Sequence, residues 1–271
     1  MCLIHFKLSW FKLLIFAFLF ASSVINSQGD KISVLNDNNG SKLLVNGKDF
    51  MVVGMNWDYF PIGTNYTYSL WTQSDEFIKD ALDREMALLK VMGVNAIRVY
   101  TGIQPKWIEY IYRNYGIYTV LNHSFGRYGV TIDGAYIANT DYAEPNTQKQ
   151  ILNEVNNLVQ EFKDVPGLLM WLLGNENNYG LFWGGAETED IPVGETLESV
   201  RARHMYKLFN KGIQEIKKFD TNHPVAICNG DLLFIDIIAE EVTSMDVLGI
   251  NAYRGVSFTD LFDKAREKLN V

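Results

Sequence analysis

The residues best placed to do chemistry are clustered at Gly174-Asn175-Glu176-Asn177-Asn178. An unbroken apolar run, Leu168 to Leu173, leads into them, and Tyr179, Phe182 and Trp183 follow. An apolar run this short, with no polar alternation, suits a strand buried on both faces of a parallel sheet. A carboxylate at the tip of such a strand, flanked by amides and then by rings, is placed to act as a general acid/base. Glu176 is that candidate. Cleaving a glycosidic bond needs an acid that is still protonated near neutral pH, to donate to the leaving oxygen. Apolar walls and a neighbouring carboxylate are what keep a carboxyl group in that form.

The rest of the chain reads as the frame for that tip. Ile32 to Lys48 has the pattern of an entry hairpin, with Asn46-Gly47 as its turn. Phe50 to Trp57 is expected as a buried strand. Ser74 caps a helix running to Met92, stopped by Gly93. The pattern then repeats: strand Val94 to Thr101, helix Pro105 to Asn114, strand Ile117 to Leu121, a long loop to about Asn146, and helix Thr147 to Phe162. After Leu168 to Leu173 come helix Thr196 to Phe219, strand Val225 to Cys228, short helix Leu232 to Ala239, strand Val247 to Ile250 and helix Phe258 to Leu269. Six strand–helix units with no antiparallel hairpin between them imply a parallel sheet with right-handed crossovers. An open doubly wound sheet would show a Gly-rich phosphate turn after its first strand, and here that strand ends in Asn56-Trp57-Asp58-Tyr59. Polar or aromatic residues end every strand, as when all the tips surround one pocket. The expected class is α/β, a (β/α)8 TIM barrel of which about six βα units are present, forming one domain over residues 29–271.

Composition narrows the partners. The net charge is −8, which argues against nucleic acid and anionic membrane surfaces. The 14 Tyr, 16 Phe and 6 Trp can supply stacking surfaces for sugars as well as core. Residues 1–28 have the order of a secretory signal: Lys7 and Lys12, the apolar run Leu13 to Phe20, then Ala21-Ser22-Ser23. The expected location is secreted or periplasmic, with no membrane attachment after cleavage. Cys2 would leave with the signal, so Cys228 would remain without an intrachain disulfide. His123, His204 and His223 have no metal-ligand spacing, and neither a G-x-S-x-G elbow nor a phosphate-binding loop occurs. No metal or cofactor is expected. The acidic run Glu187, Glu189, Asp190 and Glu195 reads as a solvated loop. The oligomeric state is left open.

Four stretches together match a family pattern: LLVNGKDFMVVGMNWD (Leu43 to Asp58), NAIRVY (Asn95 to Tyr100), GNE (Gly174 to Glu176) and GINAYRG (Gly249 to Gly255). From Leu43 onward the chain resembles the catalytic barrel of clan A retaining glycoside hydrolases. It is most similar to the family 2 β-galactosidase/β-glucuronidase barrel and to the family 72 β-1,3-glucanosyltransferases. The resemblance implies an oligo- or polysaccharide substrate and makes Glu176 the acid/base. It implies that Asn175 bonds the sugar 2-hydroxyl, that Arg98 holds the nucleophile, and that Tyr253 hydrogen-bonds it. An Arg inside an apolar strand needs an anionic partner in any case. Trp57, Trp183, Tyr179 and Tyr100 could form a stacking wall or could be packing. Asn122, His123, Asn229 and Asp231 stand at strand ends and could line the pocket.

A retaining enzyme needs a second carboxyl group about 5–5.5 Å from the first. In this clan that nucleophile ends the seventh strand, and the six units read here do not reach it. Glu187 and Glu189 share a loop with Glu176 and are poor substitutes. The expectation is a retaining β-glycosidase whose nucleophile lies outside this chain. The alternatives are a non-catalytic or degenerate glycan-binding barrel, or a β-1,3-glucan transglycosylase. The short run between signal and first strand leaves no room for the leading β-sandwich domains of family 2. That favours a stand-alone barrel acting on a glucan-like chain.

Overall fold

In a computed structural model, which describes residues 29–37, 40–100, 102–187 and 190–269, six parallel strands stand side by side in chain order. The expected signal segment, Thr101, Glu189 and the last two residues lie outside the described residues. The chain opens with β1 (Ile32–Asp37), β2 (Gly40–Val45) and β3 (Lys48–Asp49), which pair antiparallel. Then come β4 (Gly54–Asn56), α1 (Asp75–Val91), β5 (Ala96–Val99), α2 (Pro105–Tyr115) and β6 (Tyr118–His123). A small hairpin of β7 (Val130–Ile132) and β8 (Ala135–Ile137) precedes α3 (Pro145–Phe162) and β9 (Leu168–Leu173). The remainder is α4 (Asn177–Gly180), α5 (Leu197–Phe219), β10 (Val225–Gly230), α6 (Ile235–Glu241), β11 (Val247–Asn251) and α7 (Leu261–Leu269).

The large sheet runs β4-β5-β6-β9-β10-β11, every neighbour parallel. This is the wall of a TIM barrel left open between β4 and β11. Its helices start where the sequence signals place them. Ser74 Oγ accepts from Phe77 N–H at the head of α1, and Thr196 and Ser199 form a capping box at the head of α5. Gly93 and Gly116 follow α1 and α2 at φ +81° and +68°, a backbone that suits glycine at helix ends.

Two apolar layers hold the wall. Between sheet and helices lie Ile97, Leu121, Trp171, Leu173 and Ile227 with Leu82, Ile108, Val155 and Phe209. Inside the wall lie Ala96, Tyr118, Leu169, Met170, Leu172, Ala226 and Cys228. All six residues of β9 are buried, as a strand in contact on both faces must be. The β6–β9 register shifts between Thr119 and Val120, which pair with Leu168 and Met170, so Leu169 is an inserted residue. Ile32 of the entry hairpin packs into the inner layer, and its N–H donates to Asn222 O at 2.7 Å. Asp30 accepts from Tyr112 and Tyr118 hydroxyls, each at 2.6 Å, and ties the hairpin to α2 and β6.

Two expectations are corrected. Phe50 to Trp57 is not a buried strand. Only Gly54–Asn56 pair, and Met51 is 81% exposed, because β4 is an edge with a neighbour on one side only. The span before α3 is not all loop. Asp133-Gly134, at φ +49° and +80°, turns the antiparallel β7–β8 hairpin, as two residues of positive φ do.

Candidate active site

β9 ends in a turn that no extended strand could make. Gly174 has φ +76°, and a Cβ there would lie 2.7 Å from Phe209 Cζ. Asn175 follows, then Glu176 at φ 57° and ψ 36°, left-handed backbone that costs a non-glycine residue about 1–2 kcal/mol. The surroundings hold it there. Glu176 N–H donates to Cys228 O at 3.0 Å. Asn177 Oδ1 accepts from Asn175 N–H at 2.8 Å, and its Nδ2 donates to Phe125 O and Tyr142 Oη at 2.9 and 3.0 Å. Asn178 exchanges two hydrogen bonds, both 2.9 Å, with the backbone of Gly230. The buried amides after Glu176 are therefore struts that offset the cost of the turn.

The turn delivers Asn175 and Glu176 to a polar cluster at the strand tips. Asn251, the last residue of β11, donates from Nδ2 to Glu176 Oε1 at 2.9 Å. Arg98 of β5 donates from Nη2 to Asn175 Oδ1 at 2.9 Å and to Asn122 Oδ1 at 2.7 Å. Its guanidinium lies 4.7 Å from the Tyr100 ring centroid. Arg98 Nη1 is 3.5 Å from Cys228 Sγ. Burial pushes that thiol up, so it stays neutral and acts as a weak donor, to Asn251 Oδ1 at 3.5 Å. Among the described residues Arg98 meets amide oxygens, a thiol and a ring, with no carboxylate in ion-pair contact. A half-buried guanidinium in that state is a ready seat for an anion.

The other sequence candidates fall into different places. Asn122 is 3% exposed and is fully spent: its Nδ2 faces the carbonyls of Leu172, Gly174 and His123 at 2.9–3.0 Å while Oδ1 holds Arg98. It positions Arg98 and faces no cavity. Trp57 is 5% exposed and packs 6.1 Å from Trp71, in the core. Tyr253 is 88% exposed, and Trp183 is 78% exposed against Phe182. His123 turns towards α3, where its Nε2 lies 3.3 Å from Glu154 and holds that carboxyl below its ordinary value. Asn229 is buried under Tyr206, and Asp231 is paired with Arg254, which lowers its pKa. The described residues contain no cluster of metal-ligating side chains.

Three partners were not singled out from the sequence: Asn251, Tyr128 and Arg127. Tyr128 Oη accepts from Asn175 Nδ2 at 3.1 Å, and Arg127 Nε donates to Asn175 O at 3.1 Å. Asn251 stood visibly at a strand tip, and the β10–β11 register, pairing Gly230 with Asn251, brings it level with the turn.

A parallel barrel wall with a carboxylate tip on its fourth strand defines a barrel of the glycoside-hydrolase kind. The family model for glycosyl hydrolases family 2, TIM barrel domain, matches residues 37–247, and the chain belongs to that family. It is 30% identical over 134 residues to a 1,3-β-glucanosyltransferase, gel2, of Aspergillus fumigatus, covering 48% of this chain and 26% of that protein. Among solved structures it is similar to β-glucuronidase 2 of Bacteroides uniformis, at TM-score 0.59 and 15% identity, over 88% of this chain and 25% of the other. The β-glucuronidase of Parabacteroides merdae gives TM-score 0.55 and 19% identity, over 88% and 25%. These likenesses show the fold. The chain spans about a quarter of the length of the relatives it matches. No helix among the described residues is long and apolar enough to cross a membrane.

Proposed function

We propose that the chain carries the acid/base half of a retaining β-glycosidase acting on an oligo- or polysaccharide. Glu176 protonates the leaving glycosidic oxygen, then takes a proton from the water that releases the glycosyl intermediate. Asn251 orients the Glu176 carboxyl through the 2.9 Å bond. Asn175, with its side-chain oxygen on Arg98 and its amide on Tyr128, is poised to exchange one of these bonds for a sugar hydroxyl. The attacking carboxylate comes from outside the described residues, and Arg98 seats it. The observation that carries this reading is the placement of a carboxylate-free Arg98 across Asn175 from Glu176.

The 1,3-β-glucanosyltransferase relative favours a second reading of the same site, in which another sugar replaces water in the second step and a β-1,3-glucan is remodelled. The signal-like order of the first residues favours a secreted or periplasmic location for either activity.

Aryl β-glycoside hydrolysis with mechanism-based labelling tests the proposal. The 271-residue chain is expected to bind glycosides without turning them over. A form extended until turnover appears should lose about 10²–10⁴-fold of its rate on Glu176→Gln. The label should fall outside the described residues. Turnover that survives Glu176→Gln, or a label on another described carboxylate, refutes it. An extended form that binds glycans and never turns over supports the non-catalytic reading instead.

A further inference from the structure

A groove of about 300 Å³ runs along α5, and none of the strand-tip residues around Glu176 lines it. Leu208, 1% exposed, belongs to the core and forms its floor, while Lys207 and Lys211 are exposed at its rim. Gln148 of α3 and Glu241, the last residue of α6, complete the lining with His204 and Asn210. His204, Lys207 and Lys211 recur at helical spacing, so they share one stripe of α5.

The stripe is short of negative charge. Lys207 and Lys211 stand four residues apart, where like charges on a helix repel. Lys207 Nζ lies 3.8 Å from Glu241 Oε1, whereas every other lysine that pairs with a carboxylate among the described residues does so at 2.5–2.8 Å. Glu241 Oε1 already accepts from Arg203 Nη1 at 3.2 Å. Lys211 meets no carboxylate among the described residues. It donates to Gln148 Oε1 at 3.2 Å, and Gln148 is steadied by its own amide, which donates to Tyr142 O at 2.8 Å.

Donors therefore outnumber acceptors in the groove. Each ammonium carries three protons. Asn210 Oδ1 accepts from Ser244 N–H at 2.9 Å, which fixes the amide and leaves Nδ2 without an acceptor among the described residues. The His204 ring has no partner among them either. What the groove lacks is a compact group with several acceptor oxygens and a negative charge. A planar carboxylate is matched best by an arginine fork, whereas lysine acts as a point charge and suits an oxyanion whose oxygens point in several directions.

We propose that this groove binds a tetrahedral oxyanion, sulfate or phosphate, between Lys207, Lys211 and the Asn210 amide, with the His204 ring beside them. The bound anion turns the repulsion between the two lysines into attraction to a shared partner. The site is separate from the chemistry assigned to Glu176 and stands or falls without it.

Calorimetry on the full 271-residue chain tests this, with sodium sulfate and sodium phosphate titrated in chloride at constant ionic strength. One saturable site is expected. The double variant Lys207→Gln/Lys211→Gln should weaken it about tenfold or more. Lys48→Gln/Lys90→Gln removes the same charge from β3 and α1 and should leave the affinity within about twofold. All four lysines are exposed, so neither variant disturbs the core. Glucose 6-sulfate and glucose 6-phosphate, run beside the free ions, separate two sources of the group. Tighter binding of an ester makes the ligand a substituent on a sugar, and equal or weaker binding makes it the free ion. No saturable binding of any of the four probes overturns the site. Binding that survives Lys207→Gln/Lys211→Gln overturns it as well, and so does an equal loss in both double variants, which would make net charge the cause.

Discussion

Asn251 and Glu176, 75 residues apart, meet through a single hydrogen bond of 2.9 Å from Nδ2 to Oε1. The bond joins the tip of β11 to the turn after β9, with β10 between them. A hydrogen bond from an amide to a carboxyl oxygen is worth about 0.5–1.5 kcal/mol. Asn251→Ala should lower kcat/KM by about 2- to 13-fold, measured on an aryl β-glycoside with the shortest form of the protein that turns over. Asn251→Gln, with a longer side chain, should not restore it. An unchanged kcat/KM in Asn251→Ala would remove Asn251 from the site.

Glu176 is held in a conformation that suits its chemistry better than its residue type. Asn adopts left-handed backbone more readily than Glu. Glu176→Asn should therefore stabilise the fold by up to about 1 kcal/mol while abolishing proton transfer. Urea unfolding checks the first half. A loss of stability instead would mean that the Asn251 contact outweighs the backbone cost.

Asn122 should behave as a structural residue with a catalytic consequence. Asn122→Leu strands three carbonyl contacts and the Arg98 donors in a buried place, each worth about 1–3 kcal/mol. The expected loss is about 3 kcal/mol or more, seen as a lower urea midpoint with an unchanged slope. A loss below about 1 kcal/mol would show that water replaces the amide.

Acid should act through Asp220. Its carboxylate is 1% exposed, accepting from Trp171 Nε1 and facing His223 Nδ1, both at 2.8 Å. Burial pushes Asp220 up, and the bonds from His223, the Asn222 backbone and Trp171 outweigh it, so the carboxyl sits below its ordinary 3.8. Because the folded value is the lower one, the chain gains stability above pH 3.8 and loses it as pH falls through the folded value. Asp220→Asn should flatten thermal melting temperature against pH between about pH 5 and pH 2. A wild-type profile as flat as the variant's would exclude Asp220 as the sensor.

The wall of the barrel was legible because each of its signals is local. Leu168 to Leu173 declares a two-face strand by composition alone, and Ser74, Thr196, Gly93 and Gly116 mark helix ends by residue type. What was not legible depends on register. Trp57 ends its strand as a pocket residue would, yet it packs on Trp71 on the helix side of the sheet. Asn122 looks like a substrate ligand until its three carbonyl neighbours, on β6, on β9 and in the turn after β9, are counted. Asp133-Gly134 carried a hairpin signal that a reading of the span as one loop passed over. The left-handed Glu176 cannot be read from neighbours in sequence, because Cys228 and Gly230 hold its turn from β10.

The docking of Ile32 onto Asn222 has a consequence for the order of events during synthesis. Each strand of the sheet after β4 pairs with one made earlier, so the sheet can be laid down from β4 to β11 as its strands emerge. The entry hairpin emerges before them, yet one of its anchors, Asn222 O, is made 190 residues after Ile32. Tyr112 and Tyr118 arrive sooner and can hold Asp30 provisionally. The earliest of the described strands are thus among the last to be secured, and their closure reports that the chain has been made as far as β10.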